Sequence, residues 1–127
     1  MNNKGQSLVL FVILIPVILI ILFMVYDIGN IVLLKEKLDN INYLTIDYGL
    51  DNIDDNTIKN KLNDMIIKNK SDIDKININI ENNIISLSLE DRINNKISIL
   101  KNFKSIKVTS KYIGYIENNK KIIRKDK

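Results

Sequence analysis

From Leu8 to Tyr26 the chain runs for nineteen positions without a charged or strongly polar side chain, and sixteen of these are Leu, Ile, Val or Phe. At about 1.5 Å of rise per residue, a helix over this stretch spans about 28 Å, close to the ~30 Å hydrocarbon thickness of a bilayer. Large aliphatic residues and Phe near a helix centre each favour insertion by about 0.3–0.6 kcal/mol, so the run as a whole favours lipid by roughly 5–10 kcal/mol. Pro16 in its middle removes one backbone donor and predicts a kink, which membrane helices accommodate. The pattern therefore predicts one transmembrane helix over about 8–26. Lys4 precedes it, and on the far side Asp27 comes first, with Lys35 the next basic residue. By the positive-inside rule the N-terminus is expected in the cytoplasm and residues 27–127 outside, in a single-pass membrane protein. A cleaved secretory signal would have an apolar region of about 7–15 residues and a small-residue site after it. Here the run is longer, and Tyr26-Asp27-Ile28-Gly29-Asn30 offers no such site.

The helix is expected to continue past the membrane. Ile31, Leu34, Leu38, Ile41, Thr45 and Tyr48 recur at alternating steps of three and four, a narrow apolar seam. Lys35, Glu36, Lys37, Asp39, Asn40 and Asn42 fill the polar positions between. One helix over 6–50 results, with Gly29 inside it expected to loosen it at the membrane surface. The distal seam is read as packing on the chain's own C-terminal domain, with sister subunits as the alternative. Asp51 to Asn56 is a polar break in which Asp54 or Asp55 can cap a second helix. Its apolar positions are Ile58, Leu62, Met65 and Ile66, Asn69 continues the same helical spacing, and its end falls near 69–71.

Two hairpins follow. Ile76, Ile78 and Ile80 alternate with polar residues, as do Ile85, Leu87 and Leu89, and Asn82-Asn83 between them tolerates the positive φ of a tight turn. A two-residue turn there pairs Ile80 with Ile85, Ile78 with Leu87 and Ile76 with Leu89, all on one face. Asp91 to Phe103 is read as a short helix, and Ile106, Val108 and Tyr112 as a strand reaching Ile116. A second pair, Asn118-Asn119, turns the chain back into Lys120–Arg124 with Glu117 opposite Lys120. The fold class is α+β, a long N-terminal helix, one or two short helices and a small antiparallel sheet. The domain organisation is a leader at 1–5, the long helix at 6–50 and an extracytoplasmic domain at 51–127. The distal half of the long helix and the second helix are the elements available to cover the sheet.

Composition narrows the chemistry. The chain has no His, Cys or Trp, which excludes disulfides, Cys/His zinc sites, thiol catalysis and His-based triads. There is no G-x-S-x-G, P-loop or G-x-G-x-x-G sequence, and no enzyme activity, metal or cofactor is expected. Asp51, Asp54 and Asp55 lack the spacing of a calcium loop and read as turn and capping residues. The net charge of +4 is polarised, because residues 101–127 hold nine basic and two acidic side chains. Tyr112 and Tyr115 lie among Lys107, Lys111, Lys120, Lys121 and Arg124, a sparse set that argues only weakly for nucleic acid.

The N-terminus resembles type IV pilins and pseudopilins, and more narrowly the TadE-like minor pilins of tight-adherence (Flp) pili. In that family a Gly ends a short basic leader, a Glu-Phe pair follows, one Pro interrupts the apolar run, and Asp-x-Gly closes it. The corresponding residues here are Lys4-Gly5-Gln6-Ser7, Leu10-Phe11, Pro16 and Asp27-Ile28-Gly29, over residues 4–30. The resemblance implies cleavage by a prepilin peptidase between Gly5 and Gln6. It implies a role in pilus assembly, with membrane lipid, an assembly platform and other pilin subunits as partners. It also implies a location in the cytoplasmic membrane, the pilus or the cell surface. Leu10 stands where the family has Glu, whose carboxylate is thought to meet a neighbour's terminal amine. That departure bears on entry into the shaft more than on cleavage. The alternative is a signal-anchored surface protein with a small binding domain.

Overall fold

The computed structural model describes residues 3–93 and 106–126. Helix α1 spans Asn3–Asp51 and remains helical through Pro16 and Gly29, so the loosening expected at Gly29 is absent. Helix α2 spans Ile58–Asn69. Four strands follow, β1 (Lys75–Glu81), β2 (Ile84–Arg92), β3 (Lys107–Glu117) and β4 (Lys120–Lys125), in one antiparallel sheet of order β1-β2-β3-β4. This is the expected α+β architecture, a long apolar N-terminal helix followed by a small antiparallel sheet and a short helix.

Both Asn-Asn turns form as the side-chain alternation requires. Asn82, Asn83, Asn118 and Asn119 hold φ of 51°, 63°, 52° and 63°. Two consecutive positive values give the turn whose twist matches the flanking strands, and Asn tolerates them better than most residues. The first hairpin pairs Ile80 with Ile85, Ile78 with Leu87 and Ile76 with Leu89. The second pairs Glu117 with Lys120. One face of the sheet thereby gathers Ile78, Ile85, Leu87, Leu89 and Val108 into the core. The distal half of α1 and helix α2 cover it with Leu38, Ile41, Ile46, Leu50, Ile58, Leu62 and Ile66.

The buried stripe of α1 is wider than the expected seam. Asn42, Ile46, Gly49 and Leu50 are buried beside Leu38, Ile41 and Thr45, while Tyr48 is exposed. A helix lying on a sheet buries a broad stripe, whereas strict three-four spacing describes contact with a single helix. Two glycines permit the close approach. A Cβ on Gly114 of β3 would sit 2.2 Å from Ile46 Cγ2, and one on Gly49 would sit 2.7 Å from Ile85 Cδ1.

Two further expectations change. Thr57, not an aspartate, is the residue before α2, and it makes no side-chain cap. Asp55 instead accepts hydrogen bonds from the Thr57 backbone N–H at 2.9 Å and hydroxyl at 2.8 Å, shaping the turn that leads into the helix. Asn69 of α2 is exposed and lies outside the core. Asp91 and Arg92 belong to β2 and not to a helix, because Asp91 pairs with Val108 and Arg92 with Lys107. Ile93 is likewise non-helical, buried in the core with its N–H donating to the Ile106 carbonyl at 3.1 Å, and the rest of the helix expected to Phe103, residues 94–103, lies outside the described residues.

Candidate functional site

The first half of α1 makes no core. From Leu8 to Tyr26 every large apolar side chain is between 40% and 67% exposed, on all sides of the helix. A helix that is apolar all round is stable only in lipid or among other apolar helices. Alpha-1 is long and apolar enough near the N-terminus to cross a membrane. The exposed surface is therefore the feature of this molecule that most needs a partner phase.

The residues singled out from the sequence lie along this rod. Gly5 and Gly29 are both exposed, with nothing beyond their own stretch of helix backbone within 4 Å of where a Cβ would stand. Gln6, Leu10 and Phe11 are exposed, and Pro16 has helical backbone on both sides. Asp27 differs from its neighbours: it is 2% exposed, between Tyr26 at 45% and Ile28 at 53%. Gly5 and Gly29 are separated by about 36 Å at helical rise. The fold does not bring these residues into one cluster. They read as a linear pattern along one helix.

Beyond the apolar half, α1 is fastened to the sheet by polar contacts that the sequence pattern did not reveal. Asn42, completely buried, donates its amide to the Leu87 carbonyl at 3.0 Å, the Ser110 carbonyl at 3.1 Å and Ser110 Oγ at 3.2 Å. Ser110 Oγ in turn donates to Asp39 Oδ1 at 2.6 Å. Lys35 donates to the Thr109 carbonyl and lies 3.3 Å from Asp39. Lys121 of β4 reaches Asp47 at 2.8 Å and Asp51 at 2.9 Å. A buried amide with partners on two strands accepts few alternative placements of the helix, so this network sets the register of α1 on the sheet.

Further ion pairs serve α2 and the strand ends. Lys70 lies 2.7 Å from the buried Asp91 and also pairs with Asp72. Burial opposes its charge, but the hydrogen bonds to Asp72 and Asp91 prevail and hold the ammonium above its ordinary range. The hydrogen bond from Lys61, joined by those from Thr57, lowers the Asp55 carboxyl to about 2. Asp51 and Asp55 are thus committed to lysines of the chain itself. Among the described residues no group of three or more His, Cys, Asp or Glu side chains gathers as a metal site.

The remaining candidates do not converge. Tyr112 and Lys121 face the helix side of the sheet, whereas Lys111, Tyr115 and Arg124 alternate onto the other side. Lys107 sits 3.9 Å from Glu90. A shallow hollow of about 390 Å³ at the end of the domain away from the apolar half of α1 is lined by Leu50, Ile53, Asn82, Asn83, Ile84 and Tyr115 and brings no acid, base or nucleophile together. No family model, no curated protein and no solved structure matches this chain.

Proposed function

We propose that this protein is a minor pilin-like subunit, anchored in the cytoplasmic membrane by the first half of α1 and acting in assembly of a tight-adherence (Flp-type) pilus or a related secretion system. The observation that carries the reading is the division of α1. Its first half is bare apolar surface with Gly5, Phe11, Pro16, Asp27 and Gly29 at the spacing of the family pattern, and its second half is the spine of a small sheet domain. In this reading the domain lies outside, the N-terminus inside, and a prepilin peptidase cuts between Gly5 and Gln6. Gly5 suits such a cut because it has no side chain and nothing from elsewhere in the fold stands beside it. Leu10 offers no carboxylate to a neighbour's terminal amine, which favours a tip, priming or membrane-resident role over a place in the shaft. Mass spectrometry of the membrane-extracted protein tests this: the wild-type chain should begin at Gln6, and Gly5→Leu should remain heavier by the leader. Equal masses for the two would refute processing and favour a surface protein held by an uncleaved anchor.

A further inference from the structure

The two edges of the sheet are unlike. At one edge, four of the six residues of β4, Lys120, Lys121, Arg124 and Lys125, are basic, which deters pairing with a like strand. At the other, β1 reads Lys75-Ile76-Asn77-Ile78-Asn79-Ile80-Glu81. This strand is its own antiparallel complement. Centred on Ile78, a second copy running the opposite way places Lys75 against Glu81 at both ends, Ile76 against Ile80, and Asn77 against Asn79.

The backbone agrees with that register. The two-residue turn closes on the Glu81–Ile84 pair, which in such hairpins is hydrogen-bonded, so Lys75, Asn77, Asn79 and Glu81 direct their peptide groups toward β2. Ile76, Ile78 and Ile80 direct theirs to the edge that no strand among the described residues pairs with. In the Ile78-centred register these three meet their own counterparts and exchange about six hydrogen bonds. A shift by one residue would oppose outward groups to inward ones and turn the apolar face over. The half-buried Ile76 and Ile80 would gain cover, and the two copies of α2, which packs against β1, would approach each other.

We propose that β1 is a docking strand for a second copy of this chain held in an opposed membrane. The opposition follows from symmetry. Alpha-1 and β3 run in the same sense, since Lys35 meets Thr109 near the start of β3 while Ile46 and Leu50 overlie Gly114. The two-fold axis of an antiparallel edge pair is perpendicular to the sheet and therefore reverses α1. Chains anchored the same way in one bilayer present β1 in the same sense and cannot pair. Chains in two facing bilayers can. This step rests on reading the first half of α1 as a membrane anchor.

The test uses the full chain, which has no native cysteine. In detergent, where no bilayer fixes orientation, Asn77→Cys chains mixed with Asn79→Cys chains should oxidise to a disulfide dimer more readily than either variant alone. Lys75→Glu or Glu81→Lys, added to both cysteine chains, should lower the yield about tenfold, and the double reversal should restore it. In vesicles of phosphatidylcholine and phosphatidylglycerol, light scattering should show clustering with the same response to the reversals. Absence of the mixed disulfide in detergent, or indifference to single reversal, overturns the pairing. Cross-linking in detergent with vesicles that carry the protein but do not cluster overturns the opposed-membrane geometry alone. Failure of the protein to float with vesicles refutes the anchor, whatever the cross-link shows.

Discussion

Gly114→Ala tests whether α1 lies on the sheet as closely as described. The added Cβ would stand 2.2 Å from Ile46 Cγ2 and 3.3 Å from Leu50 Cδ1. Carbon atoms settle at about 3.5–4.0 Å, so the first contact is short by more than about 1 Å. Ile46 is β-branched and its Cγ2 is attached directly to Cβ, so a rotamer change exchanges one branch for another. Relief requires α1 to lift from β3, which strains the Asn42 contacts at the same crossing. Overpacking of this kind costs about 1–3 kcal/mol, against the ~5–15 kcal/mol stability of a typical domain. In a domain this small each kilocalorie lowers the melting temperature by about 4–8 °C, so a fall of roughly 5–20 °C is expected. Ile46→Ala alone should cost about 2–5 kcal/mol by leaving a cavity. In the double variant the new methyl enters the vacated space, and the combined loss should be smaller than the sum by about 1 kcal/mol or more. Thermal melts of the four full-length chains in a mild detergent, followed by far-ultraviolet circular dichroism, supply the cycle. A Gly114→Ala protein that melts with the wild type would refute the close crossing. Strict additivity would show that Ile46 is not what the methyl meets.

Ile78→Asp places a carboxylate in the apolar face of the first hairpin and should cost several kcal/mol, enough to unfold the domain at ambient temperature; an unchanged melt would refute the register. The Asp55 carboxyl falls from its ordinary 3.8 to about 2 in the folded chain, so its contribution is complete above about pH 4 and is lost as the pH falls through 2. Melting temperatures between pH 2 and 6 should decline less in Asp55→Asn than in the wild type, and parallel curves would remove Asp55 from the acid response. Leu10→Glu introduces a charge that costs about 2.5–3.5 kcal/mol at a bilayer centre and less nearer the end; immunoblots of sheared surface fibres should show no gain for the variant, and a clear shift into the fibres would assign Leu10 the role of limiting polymerisation.

The parts of the fold legible in the sequence were those where a side chain's polarity reports its surroundings. Alternating Ile and Asn in β1 and alternating Leu and Ser in β2, joined by Asn82-Asn83, left one sensible register. Asn42 was illegible for the opposite reason. A polar residue in an amphipathic helix reads as solvent-facing, and only the fold brings the Leu87 carbonyl and Ser110 to meet it. Asp91 misled likewise, because Lys70, far away in sequence, neutralises it inside the layer. Glycines 49 and 114 carry no hydropathy signal, although a glycine inside a strand does hint at close backbone approach. For the candidate site, the apolar run and its punctuation were visible at once. No side chain from elsewhere in the described residues joins Gly5, Phe11 or Pro16, so the sequence pattern and the structure carry the same information there.

An unbroken α1 has a further consequence for how the domain faces its surroundings. Because no hinge separates the apolar half from the half bound to the sheet, the two share one angular phase. One residue inserted between Ile28 and Asn30 would turn the whole sheet by about 100° around the axis of α1 relative to the apolar half and shift it by about 1.5 Å along that axis. The azimuth at which β1, β4 and the polar outer face look around α1 is thus written in the number of residues between the apolar half and the core. A length change that leaves every contact of the domain intact would still point it at different neighbours.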